Sequence, residues 1–522
     1  MTLDNLATPG TGTEISRGRV KHRYFSRLAW FVVLTTLFAL AYTQAPLFTS
    51  NQNQYMLHGY ARAGYGILSE DWLANTADPT PVFSSLVAMT LRLFHNGIPF
   101  FVYYALIMGI YFFSLFAIAE KAFPLRSSQT AAGLFTAGII ILHSTILRTL
   151  LQRLLGGDWG YLFEGGVAGQ RLLGPVFQPS SFGVFLLLSL GLYLKDKKSL
   201  AVLSAALAAT FHPTYLLSTA VLCLAYLVDT FFEGKKIWPV IRLGFLALAA
   251  AAPILIYTYA NFWGGNPGID AAARGILVHF RIPPHAIVSN WFNATVLVEL
   301  AFLGWGLFLV RRQRLFALLL VPLCLGIGLT ILQVIIKSDA LALIFPWRVS
   351  TWLVPVVLAL IVGSLASEVI LKIPAPLVGT VKWAGLFLIA LAVVGGIVRI
   401  YLVSISWEGL AYRPLETYVR THRQPGQQVL TPAKIYDFRL ETGVPVYVDF
   451  LSIPYKSAEV VEWEARFRQE SYFYQGGECK WLADFSAEGV TQVVLPVDFP
   501  QVCPQLVEIY GDNAYRLYDL NP

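Results

Sequence analysis

Charged residues are scarce in this 522-residue chain: they make up 13% of the sequence, whereas hydrophobic residues make up 56%. Soluble globular proteins are about one-quarter charged. The shortage of charge therefore excludes an ordinary soluble protein and indicates that most of the chain lies in lipid. The net charge of +7 comes from short basic clusters between apolar runs. An excess of Lys and Arg in cytoplasmic loops explains that pattern better than nucleic-acid binding does.

Nucleotide and metal motifs are also missing. The sequence has no Walker loop and no dinucleotide fingerprint, and its glycine-rich run 156–174 follows no predicted strand and lacks a Lys-Ser/Thr pair. We therefore predict a flexible loop there. The four cysteines have no zinc-site spacing. No cofactor is indicated, and a divalent metal is left open.

What the sequence does have is eleven apolar stretches, each about long enough to cross a bilayer, which takes about 20 residues. They can be threaded so that nearly all basic clusters fall on one side. This predicts a mainly α-helical, polytopic protein of the bacterial inner membrane with its N-terminus cytoplasmic and its C-terminus outside. The predicted spans are 28–48, 100–119, 131–147, 183–194, two within 199–231, 238–262, 294–310, 315–335, 349–371 and 383–403.

The predicted regions are a cytoplasmic stub 1–27, a transmembrane domain 28–403 and an extracytoplasmic α/β domain 404–522. Segment 82–94 is too short to span and is predicted to lie in the membrane interface. The stretch 199–231 is predicted to be a hairpin with His212 at its outer tip. In the tail, helices are expected at 414–422, 457–470 and 481–487, and strands at 428–431, 444–450, 492–496, 505–510 and 515–519.

The cysteines test the predicted topology. Cys223 and Cys324 fall inside predicted spans and are interpreted as buried thiols. Cys479 and Cys503 both fall in the tail, and we predict that they form a disulfide, since an oxidising compartment would let them pair. An intracellular tail would make that pairing unfavourable.

The unusual polar residues fall in three predicted outer loops, 49–81, 148–181 and 263–291, and at two span ends. Each has an ordinary interpretation: the acids at 70 and 71 could be solvated, Arg348 could snorkel, and His212 could be a structural hydrogen-bonder. Together they place one carboxylate and several cationic or imidazole groups at one face. Because Arg and His donate to phosphate, the predicted phosphate-binding residues are Arg171, His212, Arg281, His285 and Arg348.

The architecture resembles the GT-C superfamily of polytopic glycosyltransferases, which use polyprenyl-phosphate sugars and carry an acidic motif in their first outer loop. The pair Glu70-Asp71 is similar to that motif, although it lies about 22 residues beyond the first predicted span, with Asn51 and Asn53 in the nearer positions. The resemblance implies that this pair is catalytic, with Asp71 as the main candidate and Glu70 expected to matter less. The tail segments 437–440, 445–450 and 462–466 also resemble an uncharacterised bacterial membrane-protein family.

The predicted function is transfer of a sugar from a polyprenyl-phosphate donor to a glycan, lipid or protein acceptor at the extracytoplasmic face. The alternative is a non-enzymatic carrier or flippase, or a polymerase-type assembly protein, for lipid-linked glycans. A carrier is expected to show internal repeats and charges near the membrane midplane. The charges here lie at one face and no repeat is visible, which favours the enzyme.

Overall fold

A computed structural model describes residues 28–500 and 502–520, so the predicted stub 1–27 lies outside the described residues. Within this part the chain is mostly helical, and a small sheet lies near its C-terminal end. The predicted fold class, a polytopic helical membrane protein with a small C-terminal α/β region, is confirmed.

Apart from one helix in the first outer loop, the apolar region contains thirteen helices of ten or more residues within the described chain. They are α1 (Leu28–Tyr42), α3 (Pro81–Phe94), α4 (Ile98–Ala122), α5 (Gln129–Leu142), α6 (Thr145–Leu155), α7 (Val184–Tyr193), α8 (Lys198–Phe211), α9 (Leu216–Gly234), α10 (Ile237–Phe262), α14 (Ala294–Leu309), α15 (Leu315–Ile336) and α17 (Ser350–Lys372), with α18 (Val378–Glu408) following as the last and longest. Helix α18 extends past the predicted boundary at residue 403.

Six helical segments are long and apolar enough to cross a membrane, and the pair α5–α6, bent by 49°, makes up to seven. Four shorter apolar helices, α1, α7, α8 and α14, fall at other predicted spans. Each predicted span thus coincides with an apolar helix. The number of actual crossings, and which side faces the cytoplasm, stay predictions.

The hairpin at His212 forms as the sequence predicts. Helix α8 ends at Phe211, His212 is extended with φ −143° and ψ 100°, and a short turn at Pro213–Tyr215 leads into α9. Proline lacks an amide hydrogen and disfavours the helical region for the preceding residue. Pro213 therefore breaks the helix and leaves the His212 side chain buried at the tip.

The first outer loop differs from its prediction. Residues Gln52–Ala63, predicted to be part of a loop, form a helix, α2, which packs against α3. Two short 3-10 turns, Leu68–Glu70 and Leu73–Asn75, follow it. Gly59 permits the close approach, because an added Cβ would lie 2.5 Å from Cβ of Val87. Helix α3 exposes Met89 and Leu93 on its other face, and its interfacial location stays a prediction.

The third outer loop is also ordered into short helices. It contains α11 (Pro267–Gly275), a π-helical turn Ile276–Arg281, α12 (Pro283–Ala286) and α13 (Val288–Trp291). A further short helix, α16 (Asp339–Leu343), precedes a 3-10 turn at Pro346–Val349. Single π-helical turns are rare and are often found at functional sites. This one ends at Arg281.

The tail contains helices α19 (Arg413–Thr421), α20 (Phe438–Thr442), α21 (Ser457–Gly476) and α22 (Trp481–Ala487). Its strands are β1 (Val429–Leu430), β2 (Gln492–Pro496), β3 (Val507–Gly511) and β4 (Tyr515–Asp519), in the order β1-β2-β4-β3. Strand β1 is parallel to β2, and the other pairings are antiparallel.

One predicted strand of the tail and the four cysteines can be compared directly with the structure. The strand predicted at 444–450 is wrong: this segment forms only an isolated bridge between Val446 and Val429. Cys479 and Cys503 form the predicted disulfide, with Cα atoms 5.5 Å apart. Cys223 is buried, but Cys324 is exposed on the surface of α15 and not buried as predicted.

Candidate functional site

Arg348 lies within the 3-10 turn Pro346–Val349, just before α17, on the side of the membrane region that contacts the tail. Its Nη1 lies 3.3 Å from Nε2 of His212 and also donates to the hydroxyl of Thr214. A guanidinium has donors only, so Nε2 of His212 must accept and its proton must be on Nδ1. That Nδ1 is buried and has no partner.

Arg281 is held at the end of the π-helical turn by the tail. Its Nη2 donates to the carbonyl of Leu451 at 2.7 Å, and its guanidinium lies 5.0 Å from the ring centre of Phe450. Burial lowers the pKa of Arg281, and the neighbouring Tyr455 and Asp449 oppose that shift in part. The tail thus forms one wall of the site.

His285 faces the same space from α12. Its Nδ1 lies 2.8 Å from the carbonyl oxygen of Ala168, so the proton is on Nδ1 and the lone pair is on Nε2. Burial lowers the pKa of His285, and the positive charges of Arg348, Arg171 and Arg281 lower it further, while the Ala168 carbonyl opposes them. The imidazole is therefore held neutral near pH 7.

The backbone that positions His285 is itself strained. Ala168 has a left-handed conformation with φ 63°, which a non-glycine residue rarely adopts. The adjacent Val167 amide donates to the Ser350 hydroxyl at 2.9 Å and so fixes this loop to α17. Strain of this kind, costing on the order of 1–3 kcal/mol, tends to occur at functional sites.

Arg171 lies on the same loop. Its guanidinium lies over the ring of Tyr161, 3.7 Å from the ring centre, and Nη1 donates to the Gly169 carbonyl at 3.4 Å. His285 donates to the carbonyl of the adjacent residue, Ala168, so both side chains contact the same turn of this loop. The structure thus brings together all five predicted phosphate-binding residues, which we call the cation cluster: Arg171, His212, Arg281, His285 and Arg348.

The cation cluster has many donors and no acid. In the part of the chain that the structure describes, none of its three arginines forms an ion pair with a carboxylate. Several buried N–H donors there have no hydrogen-bond partner. They are Nε of Arg171, Arg281 and Arg348, Nδ1 of His212, and the indole nitrogens of Trp291 and Trp347, whose rings are 5.4 Å apart.

Three tyrosines line the cluster and were not singled out in the sequence. The rings of Tyr55, on α2, and Tyr215 each lie 5.6 Å from the His212 ring. Tyr455, from the tail, lies near Tyr55 and within electrostatic range of Arg281 and Arg348. Nothing in the local sequence marks these tyrosines, because they come from three distant parts of the chain.

Asp71, the predicted catalytic carboxylate, is not in the cation cluster. Its side chain is 0% exposed, and Oδ2 lies 2.7 Å from Nε of Arg439 and 3.1 Å from the Val446 amide. Its other oxygen accepts from the Ala74 amide at 3.0 Å. With both oxygens occupied and no access to solvent, the catalytic role implied by the resemblance finds no support in this geometry.

Arg439 joins Asp71 to a second acid of the tail, Asp449, so that one cation lies between two carboxylates. We call Asp71, Arg439 and Asp449 the docking triad. The two carboxylates raise the pKa of Arg439 although burial opposes them. Glu70 lies at the surface nearby, where its carboxylate accepts from the Gly426 amide at 2.9 Å. Both acids of the predicted motif therefore attach the first outer loop to the tail.

No group of three His, Cys, Asp or Glu side chains able to hold a metal ion occurs among residues 28–500 and 502–520. The divalent metal left open by the sequence therefore has no ligand set to which it can be assigned.

Comparisons with known proteins find that one family model matches part of the tail and that two solved structures are distantly similar to the chain. Residues 411–469 match the model of DUF6798, a domain of unknown function. This range contains all three tail segments that resemble an uncharacterised family. A search of curated proteins finds no match.

Two crystal structures of ArnT from Cupriavidus metallidurans, a GT-C glycosyltransferase, overlap nearly the whole chain. The structure bound to undecaprenyl phosphate has a TM-score of 0.49 and 11% identity, covering 94% of this chain and 97% of that chain. The apo structure has a TM-score of 0.42 and 11% identity, covering 95% and 98%. At such values the overlap assigns no activity to this chain.

Proposed function

We propose that the protein is a membrane glycosyltransferase that cleaves a polyprenyl-phosphate sugar and transfers the sugar to an acceptor hydroxyl. The reaction takes place at the side of the membrane that carries the tail. The cation cluster binds the phosphate of the donor lipid, and His285 accepts the proton of the attacking hydroxyl.

The observation that carries this proposal is the excess of buried donors in the cation cluster. Its three arginines are partly buried, and the Nε atom of each is buried and has no hydrogen-bond partner. Burial of a charge that has no acid partner is costly, because the charge loses its hydration. Such groups are normally retained where a ligand supplies the missing charge. A phosphate oxygen can accept from the planar guanidinium forks of Arg281 and Arg348 and from Nδ1 of His212 at once.

The proposed step is a displacement at the anomeric carbon. The acceptor oxygen forms a bond to this carbon, and the bond between the carbon and the phosphate oxygen breaks, leaving its electron pair on the polyprenyl phosphate. Arg281 and Arg348 stabilise the charge that develops on the departing phosphate. Because these groups are preorganised in a buried site, most of the rate gain is expected from charge stabilisation and positioning.

His285 is the side chain best suited to take the proton. Its Nδ1–H is bound to Ala168, which leaves the Nε2 lone pair available, and its lowered pKa keeps it neutral. A carboxylate in the same position would attract the three arginines and compete with the phosphate. An imidazole accepts a proton without that competition, and removal of such a base typically costs ~10²–10⁴-fold in rate.

The test is to incubate the purified full-length protein with a panel of polyprenyl-phosphate sugars and to follow release of polyprenyl phosphate and transfer of the sugar. We expect turnover with at least one donor and its loss in R348Q. Turnover should be normal in R242Q, which removes an exposed arginine of α10 that is not part of the cluster. If the protein, reconstituted in vesicles, moved the intact donor across the bilayer without cleaving it, the result would contradict the proposal and favour a non-enzymatic carrier.

A further inference from the structure

A second polar space lies in the membrane region, separate from the cation cluster. It is a cavity of about 280 Å³ between the end of α1, helix α6 and the last span α18. Its polar lining includes Arg148, Thr149 and Gln152 of α6, Arg399 of α18, and Thr49. The proposed phosphate site does not use any of these residues.

Arg399 is the unusual member of this lining. It lies within the 31-residue helix α18. Only 11% of the most apolar stretch of this helix is buried inside the protein. Neighbours such as Val398 and Leu402 are about half exposed, as expected for residues that face lipid. Arg399 is itself exposed and forms no hydrogen bond or ion pair within the described part of the chain. An arginine in an apolar span normally faces a polar cavity or a partner.

Two glycines allow α18 to pack closely against α1 and α6 beside this cavity. An added Cβ at Gly396 would lie 1.8 Å from the carbonyl oxygen of Leu40, and one at Gly395 would lie 2.1 Å from Cδ1 of Ile146. Backbones can approach this closely only where small residues line the interface. Arg399 follows Gly395 and Gly396 by three or four residues, about one helical turn, so it lies beside the point where the helices separate.

The charge in the cavity is not balanced. Arg148 is neutralised by Glu164 at 2.8 Å and lies between the rings of Tyr42 and Tyr161. Arg399 therefore leaves one positive charge without a counterion. The hydroxyl of Thr49 is buried there and has no hydrogen-bond partner. The combination of a free guanidinium with side-chain hydroxyl and amide donors suits an anionic oxygen group.

We propose that this cavity, the lipid crevice, binds the headgroup of a phosphate-bearing membrane lipid. The phosphate accepts from Arg399 and Gln152, and the acyl chains lie along the exposed apolar residues of α18. A lipid is favoured over free phosphate because the cation that would hold the anion is on the lipid-exposed helix. The ring of Tyr161 lies between this crevice and Arg171, which is 3.7 Å from the ring centre on the cation-cluster side.

The test is native mass spectrometry of the purified full-length protein with phosphatidylglycerol, phosphatidylcholine or inorganic phosphate added separately. We expect phosphatidylglycerol to bind best, because the zwitterionic lipid is neutral overall and free phosphate lacks the apolar chains. R399Q should weaken phosphatidylglycerol binding about tenfold, the loss expected for one charge-assisted hydrogen bond. R399K should keep part of the binding, since it keeps the charge.

The matched control is R242Q, which removes an exposed arginine from another apolar helix, α10. It should leave phosphatidylglycerol binding unchanged. Equal binding in R399Q and the unchanged protein, an equal loss in R242Q, or tighter binding of inorganic phosphate than of the lipid would each overturn the proposal. Because the readout is lipid binding and not sugar transfer, it is independent of the proposed glycosyltransferase activity.

Discussion

The docking triad contains one buried arginine and the cation cluster contains three partly buried ones, but only the triad contains acids. Arg439 lies between Asp71 and Asp449, and each charge is compensated within the protein. Arg281 and Arg348 form no ion pair in the described chain and are hydrogen-bonded to carbonyl, hydroxyl and imidazole groups. A buried charge that is fully paired indicates a structural contact, whereas a buried charge left unpaired indicates a missing ligand.

The same comparison indicates that the acidic motif of the first outer loop has a structural role. The motif attracts attention because acids are rare in the chain, yet the structure gives both acids partners in the tail. The tail in turn supplies Tyr455 and the Leu451 carbonyl to the cation cluster. The triad therefore affects the site indirectly, by holding the tail against it.

The largest effect is expected from breaking the triad. R439Q leaves two buried carboxylates without a cation, and removal of one partner from a buried ion pair costs about 3–5 kcal/mol. We expect a lower unfolding temperature and faster proteolysis of the tail. R420Q is the control, because Arg420 is 45% exposed and lies 3.8 Å from its acid. Equal stability of R439Q and R420Q would show that the triad does not hold the tail.

The next effect separates the stability of the tail from its docking. Replacement of Cys479 and Cys503 by serine opens a link between residues 24 positions apart, which should lower the free energy of unfolding by about 3 kcal/mol. The expected loss is in the tail alone, so binding of polyprenyl phosphate at low temperature should be unchanged. A loss of binding as large as that in R348Q would show that the tail cannot be treated separately from the site.

A smaller effect is expected in the cation cluster, and it should appear in binding and not in folding. R348Q removes a charged donor that has no acid partner, so stability should stay the same or rise. Loss of a hydrogen bond to a charged group costs about 1.5–3 kcal/mol, which is roughly 10- to 150-fold in affinity for a polyprenyl phosphate. R348K should also bind weakly, because an ammonium cannot replace the fork. Destabilisation without weaker binding would reverse the assignment of the two clusters.

The smallest effect is the pH dependence from His285. Its pKa is lowered by burial and by Arg348, Arg171 and Arg281, so it takes up a proton only below the usual range for histidine. As the pH falls through that point, the rate of transfer should drop because the base is lost, while phosphate binding should tighten because a positive charge is added. H285Q should lack both changes. A rate that declines in the same way in H285Q would rule out His285 as the base.

Much of the fold could be predicted from the sequence because it depends on local signals. Apolar runs between basic clusters locate the helices, and Pro213 locates the break at His212. Helix α2 was missed because its sequence is too polar to show an apolar face, and Gln54 instead hydrogen-bonds to the backbone of Ile453 in the tail. Contacts of this kind cannot be read from a single sequence.

Part of the candidate site could also be predicted from local signals in the sequence. The arginines and histidines of the cation cluster stand out because charges are costly near apolar spans. The partner of Asp71 is 368 residues away in the chain, so no local pattern distinguishes a catalytic carboxylate from one that is paired. Tyr55 and Tyr455 are 400 positions apart by their numbers, and aromatic residues are common throughout the sequence.

The most direct test of the central claim is to measure the affinity of a short-chain polyprenyl phosphate for the unchanged protein, for R281Q/R348Q and for R439Q at low temperature. Unpaired arginines are predicted to carry the binding, so R281Q/R348Q should lose affinity by at least tenfold while it stays as stable as the unchanged protein. R439Q should bind normally at a temperature at which its tail stays docked, as shown by resistance of the tail to proteolysis. Normal binding by R281Q/R348Q would contradict the account, because the unpaired arginines would then not be the phosphate site.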